Sequence, residues 1–505
     1  MLVVAYKDPL FPSPQNVVVD RDTWIAVLKC LLPNFGSSND NTFQFFRINW
    51  LSSLSDPFFL RWIATFTKTS LFPNHKEQVK KQQDMLKFTN YAVNSMLKML
   101  ENPYDNLGTT VGFNKSGSLS VSYDENKNDR TPSNSPSPAT AAPSPQANVT
   151  AILPPGTSEI EDGNNPTSSK MSYEPNRPIA TTHEILQLEK SLRFQQKLPT
   201  SAMYEYAAKS ASSGRFTKEI ERRCIENPAL NVKFLYNTKV QGVTTATTRS
   251  NTDKRNCEAQ RKMMKISEIR TNRGVISLPD DVHVVVAAGA WTPHVLALMG
   301  MFAPVYPLKG YAMSVSAKEA LKSGLQQQDL PSRIVCDKYM YTTRLGEDEI
   351  RITSIGEFSE WDTKPTPHVD ANFRNEAIRQ FPQLKELIQK AQTFCGFRPY
   401  VSDGILLLGC CSGCDDRRSN SGESRTDKSI YDIPYTNKIY VSCGPGSNGW
   451  KLAMGSGDII ARLVSGETPA KIQEELDFDV TSFSPIGRVL YSPYFAALCR
   501  ARWNV

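Results

Sequence analysis

The sequence contains no long uninterrupted apolar segment. A helix that crosses the hydrocarbon core of a bilayer needs about 20 predominantly apolar residues. The best candidate, FFLRWIATF at residues 58–66, is too short and carries Arg61. Residues 1–20 also lack the basic segment followed by an apolar one that is typical of a secretory signal. We therefore predict an intracellular protein, cytoplasmic or mitochondrial, whose contact with membranes is at most peripheral.

Residues that form metal sites or disulfide frameworks are sparse and scattered. The 505 residues include 10 cysteines and 5 histidines, and neither type clusters at metal-ligand spacing. Cys411 and Cys414 form an isolated C-x-x-C in a polar loop, which favours incidental thiols. The motifs G-x-S-x-G and H-E-x-x-H do not occur. We predict reduced thiols, no metal site and no hydrolase of these classes.

Charge of one sign is not concentrated anywhere along the chain. The net charge of +7 is small for 505 residues, and Lys and Arg are dispersed rather than gathered in a stripe. Composition therefore predicts no nucleic-acid partner. A hydrophobic content of 40% is sufficient for at least one large buried core, so the protein is expected to be globular.

Changes in composition divide the chain into six parts. Two polar stretches, 114–180 with its Pro- and Ser-rich TPSNSPSPATAAPSPQ and 412–428, are predicted to be disordered insertions. The parts are a helical segment (1–113), the first insertion (114–180), a folded segment (181–300), a sheet segment (301–395), a folded segment that contains the second insertion (396–475), and a tail (476–505).

Alternating helix-like and strand-like patterns predict an α/β protein. Helices are predicted at 216–227, 373–392 and 449–464, and strands at 231–236, 282–288 and 438–442. Further strand-like runs at 304–316, 333–343 and 349–355 indicate a mixed or antiparallel sheet. We expect strands 282–288 and 438–442 to share one sheet that lies beside the sheet domain.

The segment GPGSNG at 444–449 matches G-x-G-x-x-G, follows a predicted strand and opens a predicted helix. A dinucleotide-binding turn would be followed by a second parallel strand that ends in an acidic residue about 20 positions on. Here Ser465 and Gly466 end the helix instead. Two interpretations remain, a purely structural turn or a place where backbone and a helix N-terminus approach a ligand.

Four segments together resemble a known family. They are VVVAAGAW (284–291), YPLKGY (306–311), FCGFRPYVSDGILLLG (394–409) and the segment from IYVSCGPGSNGW onward (439–469). In this order they are similar to the D-amino acid dehydrogenases and their relatives in the D-amino acid oxidase superfamily. The resemblance implies an FAD-binding Rossmann-like domain made of 181–300 and 396–475. It also implies a mixed or antiparallel-sheet substrate domain at 301–395, on which the helical segment 1–113 would pack. The implied reaction moves a hydride from the substrate Cα to flavin N5, giving an imino acid and then an oxo acid and ammonia.

The resemblance also implies which residues contact FAD. Val240 would contact the adenine, and the bend after strand 282–288 would reach the flavin. The turn at 444–449 would follow the flavin with its helix N-terminus toward the pyrimidine carbonyl. Lys451 stands where close relatives have threonine, and either a cation at the flavin or a solvent-facing side chain is possible. The implied flavin contacts are Ala288, Gly289, Ala290, Trp291, Gly444, Gly446, Ser447, Asn448, Gly449, Trp450 and Lys451.

Substrate contacts are implied for an arginine and three tyrosines. Arg398 in GFRP matches the family arginine that binds the substrate carboxylate, and a planar guanidinium suits that anion as a two-pronged donor. Tyr311, Tyr339 and Tyr341 could supply hydroxyl groups to the amino acid, with core packing as the competing interpretation. The electron acceptor would be a quinone or oxygen.

The resemblance does not extend to the first residues of the sequence. Residues 1–42 contain only Gly36 and no strand, glycine turn and helix of the kind that holds the FAD pyrophosphate. We therefore expect this chain to bind FAD weakly or not at all. Two alternatives to a D-amino acid dehydrogenase are a sarcosine- or glycine-type amine oxidase and a non-catalytic remnant of the fold.

Overall fold

The computed structural model describes residues 54–71, 74–123, 177–248, 263–337, 340–412 and 433–503. Its strands are β1 (Ser118–Ser122), β2 (Arg177–Ile179), β3 (Ser201–Glu205), β4 (Val240–Thr248), β5 (Met263–Thr271), β6 (Gly274–Ser277), β7 (Val284–Val286), β8 (Met301–Phe302), β9 (Val305–Ser316), β10 (Ile334–Cys336), β11 (Met340–Leu345), β12 (Glu349–Glu357), β13 (Thr393–Val401), β14 (Leu407–Ser412), β15 (Ile439–Cys443) and β16 (Leu490–Tyr491).

Helices flank these strands and join them along the chain. They are α1 (Pro57–Leu71), α2 (His75–Leu100), α3 (Leu107–Thr110), α4 (Thr182–Leu188), α5 (Ser213–Glu226), α6 (Thr292–Leu298), α7 (Ala317–Lys322), α8 (Pro367–Gln380), α9 (Lys385–Lys390), α10 (Gly449–Val464), α11 (Pro469–Leu476) and α12 (Pro493–Trp503). Among the described residues, no helix combines the length and the apolar character that crossing a bilayer requires.

The largest sheet has eight strands in the order β13-β9-β12-β11-β10-β1-β3-β2. β1 pairs with β10 in parallel, and the other neighbours are antiparallel. Alternate residues of β9, including Tyr311, Met313 and Val315, are buried in a core that also contains Phe373 of α8. Because side chains alternate across a strand, the opposite face of β9 carries the intervening residues.

A second, three-stranded sheet has the order β14-β15-β7, and β15 and β7 are parallel. The expectation that strands 282–288 and 438–442 share a sheet is confirmed. Helix α10 follows β15 and packs on α2 through a core that includes Phe88, Ala92 and Leu452. The remaining sheets are β4-β5-β6 and the pair β16-β8.

The α/β class with a mixed sheet is confirmed, whereas some predicted boundaries differ. Residues 118–122 and 177–179, placed within the predicted insertion, form β1 and β2 of the large sheet. Leu119 and Val121 at alternate positions of β1 are buried in the core of the large sheet, which is why this part of the polar stretch is folded. Most of both predicted insertions lies outside the described residues.

The strand predicted at 231–236 is wrong. These residues form no strand, and Val232, Phe234 and Leu235 are exposed. Their apolar pattern suits a strand, but no described strand pairs with them, and a strand needs partners for its backbone groups.

Candidate active site

Two turns lie side by side at one edge of the three-stranded sheet. β7 and β15 run parallel with Val286 opposite Val441, so the segments that follow them emerge at the same edge. The thiol of Cys443 donates to the carbonyl oxygen of Gly289 over 3.1 Å, which joins the two turns directly. The resemblance assigned both turns to the flavin, and the structure brings them together.

The first turn needs glycine for its backbone. Gly289 has φ +56°, which disfavours residues with a Cβ, and no atom lies within 4 Å of the position that a Cβ would take. Ala288 precedes it, and Ala290 is buried beneath it. Trp291 completes the turn with 45% of its surface exposed, although a large indole usually prefers burial. The turn thus leaves an open space beside an exposed aromatic ring.

The second turn leads from β15 into helix α10. Gly444, Gly446, Ser447 and Asn448 form the turn, and Gly449 begins α10. Gly446 also has φ +56°, and a Cβ there would lie 3.3 Å from the Tyr400 ring. The amides at the start of α10 face this turn and provide hydrogen-bond donors with a partial positive charge.

Trp450 and Lys451 in the first turn of α10 place polar groups out of contact with solvent. The indole Nε1 of Trp450 is buried without an acceptor among the described residues, while its ring packs against Phe216 at 4.7 Å. Lys451 is only 9% exposed, so the solvent-facing alternative for this residue is wrong. Burial lowers the pKa of the Lys451 ammonium, and the charge of Glu205 partly offsets that effect.

Strand β13 connects the glycine turn to the large sheet. Tyr400 forms an antiparallel bridge with Pro445, so the end of β13 lies against the second turn. The carbonyl oxygen of Tyr400 also accepts a hydrogen bond of 3.0 Å from Trp62 Nε1 of α1. Arg398 is two positions before Tyr400 on this strand, and therefore on the same face.

Arg398 is half-buried and makes no ion pair within the described part of the chain. Its Nη2 donates to the carbonyl oxygen of Ser354 over 3.0 Å, at a place where a bulge interrupts the pairing of β12 with β9. Among the described residues, no carboxylate accepts a hydrogen bond from the other N–H groups of this guanidinium. An arginine held in this way can accept an anionic partner as a charge-assisted donor.

The face of the large sheet that carries Arg398 is open. Phe394 is 43% exposed, and the Arg351 guanidinium lies 4.4 Å from its ring centroid. Tyr341, Thr353, Ala312 and Phe394 occupy one row across four neighbouring strands. Of the three predicted tyrosines, Tyr341 thus lies on the Arg398 face, and Tyr339 is outside the described residues.

Tyr311 lies on the opposite face and is 1% exposed. Its hydroxyl donates to Glu357 Oε1 over 3.0 Å and accepts from the Thr366 amide over 2.9 Å. The same carboxylate pairs with the buried Lys309 ammonium at 2.5 Å. Although burial acts to raise the pKa of Glu357, hydrogen bonds from Lys309 and Thr366 hold it below its usual value. The structure therefore separates Tyr311 from Arg398 by the alternation of β9.

An aromatic group beside Trp291 was not identified from the sequence. His294 is buried, with ring centroids of Trp361, Phe58 and Trp291 at 4.4, 5.0 and 5.2 Å. Burial lowers the pKa of His294 to about 4, and the charge of Lys239 acts in the same direction. Spacing along the sequence gives no sign of this group, because its members come from α1, α6 and the segment after β12.

Two further predictions concern positions away from these turns. Val240 begins β4 and is paired with Thr271 of β5, in a sheet separate from β7 and β15. Its predicted adenine contact stays a prediction.

Cys410 is disulfide-bonded, contrary to the expectation of reduced thiols, whereas Cys336, Cys411 and Cys443 are free.

Comparison with known proteins gives a family match over most of the chain. The family model described as FAD dependent oxidoreductase matches residues 56–463. A D-amino acid dehydrogenase of Granulibacter bethesdensis is 27% identical over 256 residues, which are 50% of this chain and 48% of that protein. A D-amino acid dehydrogenase of Rhizorhabdus wittichii is 29% identical over 216 residues, 43% of this chain and 44% of that protein.

Among solved structures, glycine oxidase from Bacillus cereus aligns with a TM-score of 0.48 and 15% identity, covering 77% of this chain and 83% of that chain. The chain spans about half the length of the curated relatives that it matches.

Proposed function

Because this chain belongs to the family of FAD-dependent oxidoreductases, we propose that it oxidises D-amino acids at the site formed by the two turns and β13. The family supplies the reaction class and FAD as the cofactor. The similarity to D-amino acid dehydrogenases at 27–29% identity supports the choice of D-amino acids, and the arginine described above supports a substrate that carries a carboxylate. A quinone or oxygen would accept the electrons.

The residues at the two turns fit a planar, polar cofactor. Gly289 borders open space, Trp291 is exposed, and the Trp450 indole carries a buried donor that lacks a described acceptor. The residues that would hold FAD are Ala288, Gly289, Ala290, Trp291, Gly444, Gly446, Ser447, Asn448, Gly449, Trp450 and Lys451. FAD, when bound, accepts two electrons and a proton from the amino acid as a hydride.

Arg398 is the observation that carries the substrate assignment. Its half-buried guanidinium has no carboxylate partner among the described residues and lies on the strand that contacts the glycine turn. A two-pronged pair with the carboxylate would fix the amino acid with its Cα toward the turn. Tyr341, on the same face, would add a hydroxyl group near the ligand. The amino group of the substrate would take no part in this pairing.

Anaerobic reduction of the flavin tests the proposal. Because weak binding of FAD is expected from the sequence, free FAD is added to the 505-residue chain in increasing excess until the signal of bound flavin no longer rises. Oxygen is then removed, and D-alanine, L-alanine, glycine, sarcosine or ethylamine is added. We expect D-alanine to bleach the visible flavin absorption and L-alanine to leave it unchanged, since hydride transfer requires the correct face of the substrate.

The other results identify the alternatives. Bleaching by glycine or sarcosine but not by D-alanine would contradict the proposal in favour of an amine oxidase. If the chain takes up no FAD even at a large excess, or takes it up but no compound bleaches it, the result would contradict the proposal in favour of a non-catalytic member of the family.

A further inference from the structure

Three glycines form a row across the large sheet beside Arg398. Gly356 of β12 pairs with Gly310 of β9, and Gly310 pairs with Gly396 of β13. Because paired residues of antiparallel strands lie on the same face, the row has no side chains at all. Gly396 is two positions from Arg398 and shares its open face. Glycine weakens a strand, so three in one row call for a physical explanation.

Gly356 is explained by the backbone itself. A Cβ at this position would lie 1.8 Å from the carbonyl oxygen of Lys309, which the backbone cannot accommodate. The bulge between Ser354 and Gly356 brings the two strands into this close approach. The same bulge is where the Ser354 carbonyl oxygen accepts from Arg398.

Gly310 is explained by Arg398. A Cβ on Gly310 would lie 3.1 Å from Cζ and Nη2 of Arg398 and 3.3 Å from its Nε. The guanidinium therefore extends across β9 directly over Gly310 to reach Ser354. Gly310 has no positive φ, so its backbone conformation does not require glycine. A Cβ on Gly310 would instead press on the guanidinium, which would have to shift by a few tenths of an ångström.

Gly396 is explained neither by its backbone nor by its neighbours. It has no positive φ, it is exposed, and no described atom lies within 4 Å of the position that a Cβ would take. The space above it is bordered by Arg398 on one side and by the exposed ring of Phe394 on the other, both on alternate positions of β13.

We propose that the Gly356–Gly310–Gly396 row is the floor of a ligand subsite, in which Gly310 positions the Arg398 guanidinium and Gly396 leaves room for the α-carbon substituent. The inference rests on the proposed function, in which Arg398 binds a carboxylate. The ligand class is a carboxylate with an apolar substituent that extends toward Phe394. Gly310 and Gly396 are a positioning and a size-determining residue, respectively.

Calorimetric titration with two carboxylates of different size tests this inference. Acetate and benzoate are titrated into the full chain at saturating FAD, for the wild type and for Gly310→Ala, Gly396→Ala, Gly396→Val and Arg398→Lys. Gly457→Ala on α10 is the matched control, because its Cβ position is also free of neighbours. The thermal midpoint of each variant is recorded to separate binding from folding.

The two glycines have different expected signatures. Displacement of the guanidinium in Gly310→Ala should weaken both carboxylates about fivefold or more, because charge-assisted pairs depend on geometry. Gly396→Ala and Gly396→Val should leave acetate within about twofold of the wild type and weaken benzoate progressively, by about tenfold for Val, because only the larger ligand overlaps the new side chain. Gly457→Ala should change neither affinity.

The outcomes distinguish this inference from the proposed function. If Arg398→Lys weakens both carboxylates but Gly310→Ala weakens neither, or the Gly396 variants leave the affinity for benzoate unchanged, the glycine floor is refuted and the proposed function stands. Equal weakening of acetate and benzoate by Gly396→Val would also refute the size-determining role. If Arg398→Lys has no effect, or the wild type binds neither carboxylate, the proposed function itself fails.

Discussion

At the scale of single residues, the structure places a titratable group where its charge is disfavoured. His294 is 5% exposed and packs against the rings of Phe58, Trp291 and Trp361. A buried imidazole in an apolar environment favours its neutral form. The family resemblance pointed to Trp291 but not to His294. A single histidine within TPHVLAL carries no signal of the aromatic rings that reach it from other segments.

The protonation of His294 predicts acid sensitivity of the fold. Burial lowers its pKa from 6.5 to about 4, so its neutral form contributes fully to stability above pH 6.5, and that contribution is lost as the pH falls toward 4. The free energy of unfolding should fall by up to about 3 kcal/mol from this group alone. Urea unfolding at several pH values measures the effect.

Two variants isolate this contribution. His294→Phe keeps a ring in the cluster and should flatten the pH dependence between pH 6.5 and 4 relative to the wild type. Replacement of the exposed His183 by Gln should leave the profile unchanged. Equal pH dependence in wild type and His294→Phe would show that His294 does not control this transition.

At the scale of elements, α10 was predicted accurately because its pattern is local. The predicted helix 449–464 coincides with Gly449–Val464, since apolar spacing fixes its body and Ser465 and Gly466 end it. The strand predicted at 231–236 failed because strand formation depends on a partner elsewhere in the chain. Similarly, β1 and β2 form by pairing with β3. Because that partner lies elsewhere in the chain, the sequence pattern placed both strands within the predicted insertion.

The contact between α10 and α2 predicts opposite effects for two nearby glycines. A Cβ on Gly455 would lie 2.6 Å from the Ala92 Cβ and 3.0 Å from Phe88, whereas Gly457 has no neighbour within 4 Å. Overpacking of a core costs about 1–3 kcal/mol, so Gly455→Ala should destabilise the protein. Gly457→Ala should stabilise it by up to about 1 kcal/mol through helix propensity.

Urea midpoints of both variants check this prediction, because the two substitutions are chemically identical and differ only in their surroundings. A lower midpoint for Gly455→Ala and an equal or higher one for Gly457→Ala is expected. Similar midpoints for the two variants would contradict the close helix contact.

At the scale of the whole molecule, the candidate site joins segments that are distant in the sequence. The turns after β7 and β15 and the end of β13 come together through the parallel pair and the Tyr400–Pro445 bridge. The ordered motifs predicted these segments because glycine turns and the GFRP arginine have recognisable sequence. The Gly356–Gly310–Gly396 row was not predicted, since it depends on the register of three strands and on a bulge.

The central claim is that Arg398 binds the carboxylate of an amino acid, and its substitution by lysine tests this most directly. Arg398→Lys keeps the charge but loses the planar two-pronged geometry. In the FAD-saturated chain, the apparent affinity for D-alanine, measured by anaerobic flavin reduction, should fall at least about tenfold, corresponding to the loss of a charge-assisted hydrogen bond of about 1.5 to 3 kcal/mol. Flavin content and the response to ethylamine, which has no carboxylate, should remain unchanged. Equal losses for D-alanine and ethylamine, or no loss for D-alanine, would contradict the claim.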